Sequence, residues 1–366
     1  MRALLRRLLP ASVRDPLRAA RRRLRVAVLR VASSSRWTAS LYYAFASGAF
    51  GREHRAVLHG RLRYEEDLTS PAGSRYLLRR NVHRLEKGLI MRPRRDVFAA
   101  DYIGETVEAF AARAARAPDA GDDLREMRWA GEVLGSYFSA VGTEARVDRA
   151  RASFQGAAVG GWEEGLPVDG CGLPLAPYRR DLSAPSPVAF DDLLRLAERR
   201  RSVRWFLPRP VPRELVDRAV EVAALSPSAC NRQPFEFRFF DDPERVRKVA
   251  SVPMGTRGFE HNFPMVAVVL GRQRAYFDAK DRHVIYIDAA LASMALVFAL
   301  ETLGLSSCCI NWPDVEAQER EMEALLGLEP DERPVMLIAI GYPDPDALVP
   351  ASGKKSLDSL RRYDAP

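Results

Sequence analysis

The sequence predicts an α+β fold preceded by a separate, mostly helical region, and three observations carry that prediction. From residue 188 onward, runs with helical spacing and short β-rich runs alternate irregularly, without the strict strand-helix repeat of a parallel sheet. No GxGxxG follows any of the strand-like runs, which argues against a dinucleotide-binding βαβ unit. Residues 155–187 hold six glycines and five prolines with no long apolar period, the composition of a linker. The boundary is therefore expected near Pro185, with regions 1–185 and 186–366 on either side. A chain of 366 residues is about twice a usual domain, which agrees with two regions. At 47% hydrophobic residues it can also bury a substantial core.

The net charge of +8 is not spread along the chain. Residues 1–60 carry thirteen arginines against Asp15 and Glu53, a local +11 that leaves the remainder at −3. The basicity thus belongs to the N-terminus alone, and nucleic acid is not expected as a partner of the rest. Over residues 2–30, Leu4, Leu5, Leu8, Leu9, Val13 and Leu17 fall among the arginines in a basic amphipathic pattern. The expected arrangement is a helix whose apolar stripe packs on the N-terminal region with its arginines solvated; the alternative is contact with an anionic membrane surface. Residues 37–51, uncharged and containing Trp37, Tyr42, Tyr43, Phe45 and Phe50, are either core or an extension of that contact surface. Arginines interrupt any signal-peptide core, and no uncharged span near the N-terminus is long enough to cross a bilayer. The apolar run Val284–Leu303 contains Asp288 and Glu301 and reads as a buried core helix.

Helical spacing runs from Ser70 to about Ala117, with Asp96-Val97-Phe98 opening a stretch in which Tyr102, Val107 and Phe110 recur. Within that Ser70–Ala117 run, His83 and Glu86 are read as a helix-surface pair or a satisfied structural histidine. A further helix is expected over Gly121–Val141. Neither the four cysteines (Cys171, Cys230, Cys308, Cys309) nor the five scattered histidines have metal-ligand spacing. No metal is expected, and a reduced, cytoplasmic chain is the simplest reading, peripheral to the membrane if the basic arm binds there.

Beyond the linker the expected order is helix Phe190–Arg201, helix Arg213–Leu225, strand Phe235–Phe240, helix Pro243–Ala250 and strand Met265–Leu270. A long helix Asp281–Leu303, strand Ser307–Asn311, helix Val315–Leu326 and strand Val335–Gly341 complete the core. Two polar clusters flank the second helix. Arg200-Arg201-Ser202-Val203-Arg204-Trp205-Phe206 concentrates cations around a hydroxyl, the chemistry that holds a phosphate, because guanidinium forks donate two hydrogen bonds and stay charged. Ser226-Pro227-Ser228-Ala229-Cys230-Asn231-Arg232-Gln233-Pro234 combines small residues that let a flat ring approach the backbone with amides at Asn231 and Gln233. The competing structural readings are a solvated helix end and an ordinary polar turn.

These two motifs resemble the RRSxRxF and PSAxNxQPWxF signatures of the nitroreductase family of flavin enzymes, with Phe235 where the family usually has tryptophan. Gly304-Leu305-Ser306-Ser307-Cys308-Cys309-Ile310-Asn311-Trp312 is similar to a third family segment, whose backbone amides meet the flavin ring edge. Gly341-Tyr342-Pro343 and Gly353-Lys354-Lys355 are similar to the family's ending, in which a basic residue returns to the flavin phosphate. The resemblance covers residues 188–363. It implies a three-layer fold with a central, mainly antiparallel sheet flanked by helices, bound FMN, NAD(P)H as co-substrate, and a homodimer built on the long helix. The implied cofactor-binding residues are Arg200, Arg201, Ser202, Arg204, Pro227, Ser228, Ala229, Asn231, Gln233, Ile310, Asn311, Trp312, Lys354 and Lys355. Arg257, Phe259, His261 and Trp312 are expected at the substrate face, with Trp312 restricting what stacks there. No obligatory catalytic side chain is implied, and Cys309, in an apolar strand, is read as packing. The implied activity is hydride transfer from NAD(P)H through flavin N5 to a small conjugated or electron-poor acceptor by a ping-pong mechanism. A membrane- or partner-binding protein with a regulatory flavin domain is a second possibility. A specialised flavin reaction such as dehalogenation or heterocycle oxidation is a third, although the short 270–286 stretch leaves little room for a lid that would mark it.

Overall fold

In the computed structural model, residues 11–70, 73–116, 122–158, 174–180, 182–183 and 185–364 are described, with side chains from residue 15 onward. The linker expected over 155–187 falls largely outside them. The chain divides into two compact units, 1–55 and 56–366. The division is not at Pro185, because helices between residues 56 and 158 pack in the same unit as the sheet.

In the first unit, helix α1 (Ala11–Ala32) carries seven arginines and one acid. A short helix α2 (Arg36–Leu41) follows, started by a capping box in which the Ser35 side chain accepts from the Thr38 amide, and a single π turn (Tyr42–Ala46) ends it. No side chain of residues 15–55 is buried. Of the stripe expected to pack into an N-terminal core, Leu4, Leu5, Leu8 and Leu9 and the Val13 side chain lie outside the described residues, and Leu17 is exposed.

The second unit begins within helix α3 (Gly51–Thr69). Its helical layer continues through α4 (Arg75–Leu89), α5 (Ile103–Ala114), α6 (Asp122–Ala140) and α7 (Ala145–Ala158). Leu78, Val82 and Leu85 recur at helical spacing on α4 and meet Phe110, Leu134 and Tyr137 in a closed core. The helix expected to open at Asp96 starts instead at Ile103. Ala99 takes a left-handed φ of 61°, and the Asp96 carbonyl accepts from the Gly142 amide at 2.9 Å, which commits that stretch to a loop. The α7 helix has no counterpart in the sequence reading. The carboxylate of Glu144 caps it, accepting from the Arg146 and Val147 amides.

The sheet contains β1 (Phe235–Phe240), β2 (Met265–Arg272), β3 (Ser306–Asn311) and β4 (Glu332–Gly341) in the order β1-β2-β4-β3, with every pairing antiparallel. Alternation along β2 sorts its side chains between two helical layers. Val266, Val268 and Leu270 face α10 (Pro243–Ser251) and α12 (Glu316–Leu326). Met265, Ala267 and Val269 face α9 (Arg213–Ala224) and α11 (Val284–Thr302). This is the three-layer arrangement that the motif resemblance implied. Helix α8 (Phe190–Arg199) leads into the sheet domain, and the short α13 (Leu357–Leu360) lies near its end.

Helix α3 docks on the turn after β2 through Gly60. A methyl group there would lie 2.5 Å from Gln273 Cβ and 2.6 Å from the Gln273 carbonyl carbon, both closer than real contacts allow. Arg61 donates to the Phe277 carbonyl at 3.2 Å and Arg63 pairs with Glu329 at 2.7 Å, fixing the same approach. Gly60→Ala is therefore expected to destabilise the second unit by about 1–3 kcal/mol through overpacking, outweighing the roughly 1 kcal/mol that alanine contributes within a helix. Chemical denaturation reads this directly, and a neutral or stabilising change would mean that α3 does not dock there.

Candidate functional site

The first polar cluster leaves the end of α8 in extended form. The Val203 amide donates to the Ser307 carbonyl at 3.1 Å, and Ser202 forms a parallel bridge with Ser307 at the start of β3. Further on, the Leu207 amide donates to the Tyr342 carbonyl at 2.9 Å, so the segment is laced to the ends of both β3 and β4. Arg199 pairs with Glu301 at 2.9 Å. By contrast, no carboxylate pairs with Arg200, Arg201 or Arg204 among the described residues, while Arg200, Arg201 and Ser202 are half-buried and Arg204 is exposed. Three guanidinium groups without a carboxylate partner among the described residues, carried beside one hydroxyl on a single short segment, make a donor set suited to an anion supplied from outside. The Cys308 and Cys309 thiols nearby are raised above their usual range by burial, and Arg200 offsets this only in part. Neither is held as a thiolate, and Cys309 is exposed on the side of β3 away from the core that holds Cys308, so the core-packing role expected for it falls to Cys308 instead.

The second cluster is a strained turn. Ala229–Asn231 form one 3₁₀ turn, and Cys230, Asn231 and Gln233 have φ of 52°, 50° and 48°. Non-glycine residues in this region cost energy, so neighbouring groups must hold them. The Ala229 amide donates to Asp288 Oδ2 of α11 at 3.0 Å, and the Tyr276 hydroxyl donates to the same oxygen at 3.0 Å. Desolvation raises the Asp288 carboxyl above its ordinary value, and these two donors oppose the shift. The Gln233 amide donates to Ser228 Oγ at 3.0 Å, and Gln233 Nε2 to Asn231 Oδ1 at 3.2 Å. From the helical layer, Arg79 Nε donates to the Asn231 carbonyl at 2.8 Å. Arg232 is buried with its guanidinium 4.7 Å from the Tyr276 ring, and its Nε has no hydrogen-bond partner.

The two clusters sit at opposite ends of α11. Ala229 rests on Asp288 near the helix start, whereas Arg199 and Ser306 meet Glu301 near its end. Thirteen helical residues separate these contacts by about 20 Å at 1.5 Å per residue. One chain thus brings the arginine cluster together with β3 but leaves Pro227, Ser228, Ala229, Asn231 and Gln233 at a distance. Lys354 and Lys355 lie on an exposed segment, and among the described residues no hydrogen bond or ion pair joins them to the arginine cluster.

Trp312 does not border an open cleft. It is 8% exposed, packs in the core between β3 and α12, and donates Nε1–H to Glu319 Oε1 at 2.8 Å. Strand alternation is the cause: Cys308 and Ile310 already point into that core, so Trp312 follows them while Asn311 is exposed. Ile310 is buried, within 3.9 Å of where a Gly255 Cβ would be. The loop from Met254 to Asn262 does meet the arginine segment: Asn262 Oδ1 accepts from the Phe206 amide at 2.8 Å and Nδ2 donates to the Arg204 carbonyl at 3.0 Å. Within it Phe259 packs edge-on against Phe263 and under the Arg204 guanidinium, His261 meets Trp205 edge-on, and Arg257 is exposed. His83 pairs with Glu86, which also accepts from Trp129 Nε1, a satisfied structural pair. No cluster of metal-ligating side chains exists among the described residues. Of the supporting residues, Tyr276, Asn262 and Arg79 are not singled out by the sequence, and Asp288 stands out there only as one of two acids in an apolar run.

The nitroreductase family profile matches residues 197–256 and 247–342. Among curated relatives, human iodotyrosine deiodinase 1 is 25% identical over 193 residues, covering 45% of this chain and 66% of its own length. An NADH dehydrogenase/NAD(P)H nitroreductase from Streptomyces coelicolor is 26% identical over 194 residues, covering 48% of this chain and 95% of its own. The chain spans about two thirds of the length of the deiodinases it matches. Among solved structures, an FMN-dependent nitroreductase from Clostridium difficile R20291 aligns at 21% identity over 46% of this chain and 98% of its own, with a TM-score of 0.40. The sheet domain is a flavin oxidoreductase domain. It belongs to the nitroreductase family, and the residues before it are an addition outside the matched span.

Proposed function

We propose that the sheet domain binds FMN and acts as an NAD(P)H-dependent oxidoreductase on a small conjugated or electron-poor acceptor, working as a homodimer in a reducing, cytoplasmic setting. The observation that carries this is the segment of Arg200, Arg201 and Arg204 beside Ser202, none of the three arginines paired with a carboxylate among the described residues. Bound FMN would supply the redox chemistry that links NAD(P)H oxidation to reduction of the acceptor. The arginines and Ser202 would hold its phosphate, with Lys354 and Lys355 as candidates from the C-terminal segment. The small residues Pro227, Ser228 and Ala229 would admit the ring, Asn231 and Gln233 would orient its polar edge, and the Ile310-Asn311 backbone would meet its inner side. Because the two clusters are separated along α11, a second copy supplying the 227–233 turn would complete the site. Exposed Ile287, Leu291 and Met294, at helical spacing on α11, offer an apolar face for that pairing. The deiodinase relatives support dehalogenation as a second reading, with a halogenated phenol as acceptor.

Purified protein should be yellow, release FMN on denaturation, and bleach when NADH or NADPH is added without oxygen. A colourless protein that takes up no FMN would sink the proposal. Arg200→Ala removes a charged hydrogen bond to phosphate worth about 1.5–3 kcal/mol, so the FMN Kd should rise about tenfold or more in a fluorescence titration. Unchanged affinity would remove Arg200 from the phosphate site. Turnover with nitroaromatics, quinones and iodophenols in parallel separates reductase from dehalogenase.

A further inference from the structure

Helix α1 is two-faced in a particular way. At 100° per residue, Leu17, Ala20, Leu24, Ala27, Val28 and Val31 form one continuous stripe. Arg18, Arg21 and Arg25 border it on one side, and Arg23 and Arg30 on the other. The stripe is uncovered: Leu24 and Val31 are each 67% exposed, and Leu17 is 54% exposed. The chain after it continues the theme, with Trp37 and Phe45 at 68% and 86% exposure.

We propose that α1 and the aromatic turn after it form a docking surface for an anionic lipid bilayer, lying in the interface with the stripe in the acyl boundary and the arginines among the headgroups. Three occupants compete for such a face. A second copy of α1 would bring together fourteen arginines and only two acids, without the opposite charges that pair coiled-coil flanks. Nucleic acid would satisfy the arginines and leave the apolar stripe and Trp37 in water. An anionic bilayer satisfies both: negative headgroups answer the arginines, and indole and phenyl rings favour the polar-apolar boundary.

The test uses the full chain in sedimentation with vesicles of phosphatidylcholine alone or mixed with phosphatidylglycerol, at low and high salt. The expected result is pelleting only with the anionic vesicles, weakened by high salt. Each arginine near the surface contributes about a fivefold factor in partitioning, so replacing Arg18, Arg21, Arg22 and Arg25 by Gln should reduce binding by two to three orders of magnitude. Leu24→Glu should also abolish it while leaving charge-driven adsorption sites otherwise intact, because it breaks the stripe. Both variants lie outside the sheet domain, and unchanged flavin content with an unchanged melting curve controls for folding. Failure to pellet, equal pelleting on neutral vesicles, or indifference to Leu24→Glu would overturn the proposal. So would equally tight binding of a short DNA duplex, or a stable dimer crosslinked through Leu24→Cys that excludes vesicles. None of these outcomes depends on whether the sheet domain binds FMN.

Discussion

Glu319→Ala should be among the most damaging single substitutions in this protein, costing about 3–5 kcal/mol. Glu319 is 1% exposed on α12, and its Oε1 accepts from Trp312 Nε1 at 2.8 Å and from Arg333 Nη2 at 3.1 Å. Arg333 is itself buried on β4, and the second acid it meets, Asp314 at 3.0 Å, is more exposed. Removing the carboxylate leaves a buried guanidinium and a buried indole N–H short of acceptors. The desolvation cost of both then falls on the folded state alone. In a unit of this size the melting temperature should fall by about 5–15 °C. Glu319→Gln keeps an acceptor for Trp312 and loses the charge opposite Arg333, so it should lie between. If Trp312 instead stood in an open cleft, the indole could turn to water, and the cost would come from the Arg333 pair alone.

The position of Trp312 also shows where sequence reading stops. The β3 segment was recognisable, and its strand was predicted to within one residue, because an apolar run between a glycine turn and a proline has few alternatives. Which side chain of that strand faces the ring depends on register, and register is set by pairing with β4 (Ser306 opposite Gly341 through Asn311 opposite Met336), which one strand alone does not reveal. Motif position therefore placed Trp312 at the ring, while alternation turns it into the core.

The same division holds elsewhere. β1 and the helices around it were legible because Pro243 at a helix start and the Asp242 cap punctuate them. The first three residues of β4, Glu332 to Pro334, read as loop because they are polar, yet they pair with β2 at the rim, where Glu332 takes Arg272 and Arg238. The arginine cluster and the 227–233 turn were visible as motifs, but their separation along α11 is a property of tertiary placement. Nor does any local pattern show that helices 56–158 join the sheet domain. That depends on long-range contacts such as Gly60 on Gln273, where the informative feature is a missing side chain.

Arg79→Ala is expected to couple those helices to the candidate flavin turn in a measurable way. Arg79 is buried on α4, with Nε donating to the Asn231 carbonyl at 2.8 Å and Nη1 lying 3.3 Å from Glu126 Oε2. Glu126 is 1% exposed in its side chain, and its other oxygen has no partner. Removing one member of such a pair costs about 3–5 kcal/mol, here toward the lower end because Arg75 still reaches Glu126 at 2.6 Å. The second consequence is local. Asn231 holds a left-handed φ of 50°, and losing the donor that fixes its carbonyl should let the turn relax and weaken FMN binding several-fold. Arg79→Lys separates the two effects, since an ammonium can restore charge beside Glu126 without reproducing the fixed Nε–H that meets Asn231. The expected pattern is a melting temperature largely recovered in Arg79→Lys with the FMN Kd still raised. Wild-type FMN affinity in Arg79→Lys would show that the helical layer supports the sheet domain without positioning its flavin turn.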